Sequence, residues 1–172
     1  MKNPIESRMA HQATSMHRRQ WLGTAAVLAS ALVHPTLHAQ ATTLVVWKDP
    51  NCGCCQMWIE HLHAHGFKTE IRDVGNSSAR KRLGMPEQFG SCHTASVAGY
   101  VIEGHVPAAD IHRLLKERPS ALGLAVPGMP IGSPGMDGPE YKGRKDTFEV
   151  LLVLKNGQSK TYKRYPGQAR MA

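Results

Sequence analysis

The apolar and polar positions of this 172-residue chain change period several times. Thr42-Thr43-Leu44-Val45-Val46-Trp47 is β-branched and apolar, and it stops at the turn-rich Lys48-Asp49-Pro50-Asn51. That pattern predicts a buried strand followed by a loop. From Cys54 to His65 no breaker occurs, and Met57, Trp58 and Leu62 recur at helical spacing until Gly66. Glycine is the residue that most readily ends a helix, so a helix is expected here. Phe67 to Val74 then alternates apolar and polar, as a half-exposed strand does.

Ser77 to Leu83 reads as a short helix capped by Ser77 or Ser78 and closed by Gly84-Met85-Pro86. Ser91 to Ile102 is rich in β-formers and predicts two strands meeting near Ala98-Gly99, followed by a turn at Glu103-Gly104-His105. Pro107 opens a helix through Ala108, Ile111, Leu114 and Leu115 that ends before Pro119. Between Val126 and Gly143 proline and glycine recur so often that regular structure is excluded. An irregular segment of that length in a compact domain is usually functional or mobile. Phe148 to Leu154 and Ser159 to Tyr165 then read as a hairpin around Asn156-Gly157, a pair that predicts a type I′ turn.

The N-terminal portion follows different rules. Arg18-Arg19-Gln20-Trp21-Leu22-Gly23 precedes a short apolar stretch from Thr24 to Val33, and Ala39-Gln40-Ala41 supplies a small-x-small cleavage pattern. Residues 1–41 are therefore expected to be a secretory signal, too short for a permanent span. The paired arginines also fit a twin-arginine signal, which implies a bacterial protein exported to the periplasm. Residues 42–172 are expected to form one domain, with no further run long enough to span a bilayer. The formal charge is +8, but the basic residues are dispersed, aromatics are few and no nucleic-acid-binding motif occurs. A nucleic-acid partner is not expected.

Chemistry concentrates in Asn51-Cys52-Gly53-Cys54-Cys55, between the first strand and the first helix, and in Cys92-His93 further along. In an oxidising periplasm four cysteines usually mean two disulfides, but Cys54 and Cys55 are adjacent and vicinal bridges are strained. The element order β-α-β-α-β-β-α, with Cys52-x-x-Cys55 after a strand, is that of a thioredoxin-like α/β fold. In that fold a cis-proline faces the cysteines from the segment before the third strand. Ser91-Cys92-His93-Thr94 takes that place, so Cys92 is expected to face the other three cysteines.

Two function classes follow. Thiolates at a helix start are favoured by its unpaired N–H groups and dipole, and such soft ligands suit Cu(I), with zinc the less fitting occupant. Close-set thiolates bridge metals, so more than one ion per chain is plausible. The alternative is thiol–disulfide exchange, against which the extra thiol of Cys54 would compete for mixed disulfides.

Four separated motifs carry a resemblance: Asn51-Cys52-Gly53-Cys54-Cys55, Ser91-Cys92-His93-Thr94, Tyr100-Val101-Ile102-Glu103-Gly104-His105-Val106-Pro107, and the Val126–Met136 segment VPGMPIGSPGM. Together they resemble the metal-binding family of CopG-type copper-resistance proteins. The resemblance implies a periplasmic, thioredoxin-like protein that binds copper through Cys52, Cys54, Cys55 and Cys92, encoded for copper handling beside other periplasmic copper proteins, with a role in copper redox chemistry.

His105, in a turn where imidazole has little structural purpose, and Met129 and Met136, in a loop rather than on a helix stripe, are further candidate ligands. His93 is a ligand only if the chain bends after Cys92, because successive strand residues face opposite ways. His61, His63 and His65 read as a solvated helix face, and His112 as a surface residue.

Overall fold

A computed structural model describes residues 42–168. The expected signal, residues 1–41, and the last four residues lie outside that range. β1 (Thr43–Lys48), α1 (Gly53–Ala64) and β2 (Lys68–Arg72) come first, followed by α2 (Ser77–Arg82), β3 (His93–Val97) and β4 (Tyr100–Glu103). α3 (Ala108–Glu117), β5 (Gly123–Ala125), β6 (Phe148–Val153) and β7 (Ser159–Tyr165) complete the order. All seven strands form one mixed sheet in the order β2-β1-β3-β4-β5-β6-β7. β1 runs parallel to β2 and antiparallel to β3, while β4 runs parallel to β5.

Period-two alternation places the two faces of the sheet against different layers. Ile102, Leu124 and Leu152 belong to the main core with Leu44, Val46, Trp58, Ile59, Leu62, Ile111 and Leu114, so α1 and α3 cover that face. Their sequence neighbours Val101, Ala125 and Val153 pack with Met85 and Phe89 on the other face. The apolar run of β1 is thus buried as its composition requires. β2 is an edge strand and is more exposed than a half-buried pattern predicts, with Ile71 and Val74 open to solvent.

Two local expectations are corrected and one strand is added. β5 is three residues long, Gly-Leu-Ala, too short to show a period; pairing with β4 and β6 makes it a strand and extends the sheet into the C-terminal hairpin. The hairpin turn at Asn156-Gly157 is not type I′, which needs positive φ at both residues. Only Gly157 takes it, at +83°, with Gly157 N donating to Leu154 O (3.0 Å) and Leu154 N to Gln158 O (2.8 Å). The positive pair occurs at Ala98-Gly99 instead, φ +46° and +85°, between β3 and β4. Finally, α2 is flanked by Asn76 rather than capped by a serine, with no side-chain hydrogen bond at its start; the Asn76 amide donates instead to Ser91 O in the site described next. Among the described residues no helix is long and apolar enough to cross a membrane.

Candidate metal and thiol centre

The end of β1 feeds a tight loop in which Asn51 N donates to Asp49 Oδ1 (2.9 Å) and Cys52 N to Asp49 O (3.1 Å). This turn sets Cys52 at the N-cap of α1 and puts Cys54 and Cys55 in the first helical turn. Cys52 and Cys55 are joined in a disulfide, with Cα atoms 5.3 Å apart, and Cys54 and Cys92 are free. Three residues apart on a helix start, the first and last sulfurs share a face, whereas Cys54 is rotated away from them. Cys54 Sγ lies 3.6 Å from Cys52 Sγ and 3.8 Å from Cys92 Sγ, so Cys92 does face the other cysteines. All four sulfurs fall within 4.8 Å of one another.

A second cluster shares Cys92. Its sulfur is 3.1 Å from His105 Nε2 and 3.4 Å from His93 Nδ1, and both imidazoles are fully buried. β3 begins at His93, which leaves Cys92 outside the strand. Strand alternation therefore does not separate the two residues, and the bend required for His93 to join the site is present. His105 Nδ1 lies 2.8 Å from Pro134 O. A carbonyl can only accept, so Nδ1 carries the proton and Nε2 presents its lone pair to Cys92. This is the arrangement by which ligating histidines are usually oriented. His93 Nε2 is, among the described residues, a buried side-chain nitrogen with no hydrogen-bond partner. Such an orphan is costly unless a further group meets it.

Burial, and next the neighbouring Cys54, pushes the Cys92 thiol up to about 12. Burial lowers His105, and burial together with His105 holds His93 well below the ordinary imidazole range. The cluster is therefore a neutral set of soft donors, which a cation can enter by displacing the thiol proton.

The Pro/Gly segment packs across this centre. Ser133 to Met136 is buried, Ser91 Oγ donates to Gly128 O, and Met129, 52% exposed, brings its sulfur to 4.0 Å from Cys54 Sγ. Met136 is instead buried with its sulfur accepting the Tyr141 hydroxyl at 3.5 Å, and the structure does not bring it to the cysteines. The helical histidines have structural partners: His61 Nε2 accepts from Ala108 N (3.1 Å), His63 Nε2 meets Thr69 Oγ1 (2.8 Å), and His65 Nδ1 donates to His61 O (2.7 Å). His112, exposed, stacks on Phe67 and donates to His65 O.

A buried ion pair that the apolar pattern hides holds the Cys92 segment. Glu103, fully buried at the end of β4, accepts from Arg80 Nε (2.9 Å), Ser91 N (2.8 Å) and Thr94 Oγ1 (2.6 Å). Arg80 and Asn76 both donate to Ser91 O. Cys92 and His93 sit between these anchor points, and His105 lies two residues beyond Glu103. Desolvation raises Glu103, opposed by its hydrogen bonds from Thr94 and Ser91 and by Arg80. The one sequence signal for this pair is a charged residue at the end of an apolar strand run.

Residues 89–136 match a family described as "Protein of unknown function, DUF411", a span that holds Cys92, both cluster histidines, and Met129 and Met136. Nothing among the curated proteins matches the chain. Two solved structures described as copper resistance protein copG, Form 1 and Form 2, are similar along their length. Form 1 shares 46% identity at a TM-score of 0.68, covering 74% of this chain and 99% of that one. Form 2 shares 45% identity at a TM-score of 0.67, covering 73% and 99%. Identity at that level, sustained over nearly the whole of both solved chains, goes beyond a shared fold: the chain belongs to the CopG copper resistance protein family.

Proposed function

We propose that this protein is exported to the periplasm and binds copper as Cu(I), with Cys52, Cys54, Cys55 and Cys92 as the sulfur set in its reduced form and His105 and His93 as inner donors. The observation that carries this reading is the convergence of four sulfurs and two neutral imidazoles from three separate parts of the chain. Thiolate, imidazole and thioether are soft donors, and that combination suits monovalent copper better than a hard cation. Zinc fits less well, since a structural zinc site is usually built from separated cysteine pairs. Copper is the cargo here, and sequestering it, or passing it to other periplasmic copper-handling proteins, would contribute to copper resistance. Met129 is a candidate outer donor and Met136 a supporting residue of the loop.

The strand order β2-β1-β3-β4, with α1 starting at the cysteines and β3 antiparallel, supports a thioredoxin-like ancestry for this half of the sheet. It also supports redox chemistry. Two Cu(I) ions becoming Cu(II) release two electrons, and with two protons from solvent these convert the Cys52–Cys55 disulfide into two thiols; the reverse step restores both partners.

Anaerobic titration of the reduced protein with Cu(I) against a competing chelator tests the reading. Tight binding of one or more ions, lost on Cys92→Ser, is expected; weak binding that is indifferent to Cys92→Ser would overturn it. The Cys52–Cys55 disulfide at a helix start favours one second reading, a thiol–disulfide oxidoreductase. That reading requires rapid disulfide reduction by the metal-free dithiol protein, abolished by Cys52→Ser alone.

A further inference from the structure

A disulfide sulfur is not a thiolate, so the Cys52–Cys55 bond withdraws two of the four sulfurs from metal binding. The soft donors that remain still form an unbroken series. Met129 Sδ is 4.0 Å from Cys54 Sγ, Cys54 Sγ is 3.8 Å from Cys92 Sγ, and Cys92 Sγ is 3.1 Å from His105 Nε2. The series runs from a thioether half open to solvent to an imidazole with no exposure at all.

We propose that the disulfide form of the protein holds one Cu(I) ion between Cys54 and Cys92, with His105 Nε2 as inner donor and Met129 as outer donor, and that reducing Cys52–Cys55 adds capacity to this site rather than creating it. The inference rests on the copper reading above and specifies how redox state governs that site.

Three features argue for it. Metal–sulfur bonds of about 2.3 Å let two sulfurs share an ion at any separation up to roughly 4.6 Å, and the Cys54–Cys92 spacing lies inside that limit without movement of the backbone. The Pro134 carbonyl already fixes His105 in the tautomer a ligand needs. Neither thiol is tied to the disulfide: Cys54 projects from α1 beside it, and Cys92 is carried by the segment anchored through Ser91 and Thr94 to Glu103. A protein built this way keeps its cargo when its dithiol is oxidised, because the electrons and the retained ion use different cysteines.

The test is anaerobic Cu(I) titration, from a chelator complex and without added thiol, of three proteins: the disulfide form, the fully reduced form, and Cys52→Ser/Cys55→Ser, which has no disulfide to open. One ion per chain is expected in the disulfide form and in the double variant, and more than one in the reduced wild type. Cys54→Ser or Cys92→Ser in the disulfide form is expected to lose more than the roughly 10- to 100-fold that removing an outer hydrogen-bond partner costs, and Met129→Leu less than either. Binding by the reduced wild type, but by neither the disulfide form nor the double variant, overturns this inference and leaves the copper reading standing. No binding by the reduced wild type overturns both.

Discussion

At Cys92 burial works against ionisation, and the thiol is pushed up to about 12 with Cys54 as the next cause. Its proton is then released only when a cation takes the sulfur, so copper uptake by this residue should liberate a proton near neutral pH. Replacing Cys92 by serine is expected to weaken Cu(I) binding by more than 100-fold, beyond the roughly 10- to 100-fold typical of an outer partner. Exposed His63, bonded only to Thr69, should change it within about twofold when replaced by alanine. Chelator competition on the two variants checks the contrast. His93 allows a pH prediction. Its folded pKa lies well below 6.5, through burial and then His105, so between those values the unfolded chain carries a proton that the folded chain refuses. Its stabilising contribution is complete above pH 6.5 and is lost as pH falls through the folded value. Glu103, raised by burial, has the opposite sign and loses its contribution as pH rises from 4.5 through its folded value. Thermal unfolding of the metal-free protein at pH 7.5 and 5.5 checks the His93 prediction: His93→Gln should reduce the loss at pH 5.5.

At the scale of elements, the loop between β5 and β6 is fastened where it crosses α1. Gly135 has φ +83°, and a Cβ there would stand 2.6 Å from Cys54 O and 2.8 Å from Trp58 N. Gly135→Ala should cost about 1–3 kcal/mol from the backbone conformation alone. By lifting the neighbouring Pro134 carbonyl off His105, it should also weaken Cu(I) binding by roughly 10-fold or more. A stability loss without an affinity loss would show that the loop is packing only. Across the sheet, the short helix α2 delivers Arg80 to Glu103. Arg80→Met leaves that carboxylate buried without its cation, a change worth about 3–5 kcal/mol and read as a lower urea midpoint. The Cys92 segment loses a donor in the same step, so metal affinity should fall with stability.

For the whole molecule, the cysteine centre sits at one end of β1 and β3, between α1 on one face of the sheet and the α2 ion pair reaching it from the other. Sheet growth through β5 to β7 enlarges the core, with Phe148, Val150 and Leu152 buried in it. If residues 1–41 act as an export signal, protein recovered from the periplasm should have an intact mass matching a start at Thr42, within a few residues. Replacing Arg18 and Arg19 by lysine should stop export by a twin-arginine route but not by the general one. Recovery of the full-length mass from that compartment would refute the assignment.

Much of this protein is determined locally and so can be read from the order of residues. Apolar period and breakers mark β1, α1, α3 and the C-terminal hairpin, because each depends on neighbours within a few positions. Cys52, Cys54 and Cys55 at a helix start are likewise a local fact. Other features exist only through contacts between distant residues. β5 has three residues and no period, and becomes a strand because β4 and β6 bond to it. His93 joins Cys92 because β3 begins one residue later than alternation would need. Arg80 and Glu103, 23 positions apart, are unremarkable charges until folding buries them together. The distances that separate Cys92, His105 and Met129 from one another and from Cys54 were likewise decided by tertiary structure, whereas the three-residue spacing that lets Cys52 pair with Cys55 is local. Sequence supplies the donor types, but only the packing of a loop and two strands onto the end of α1 sets the few ångströms over which sulfur and nitrogen can share an ion.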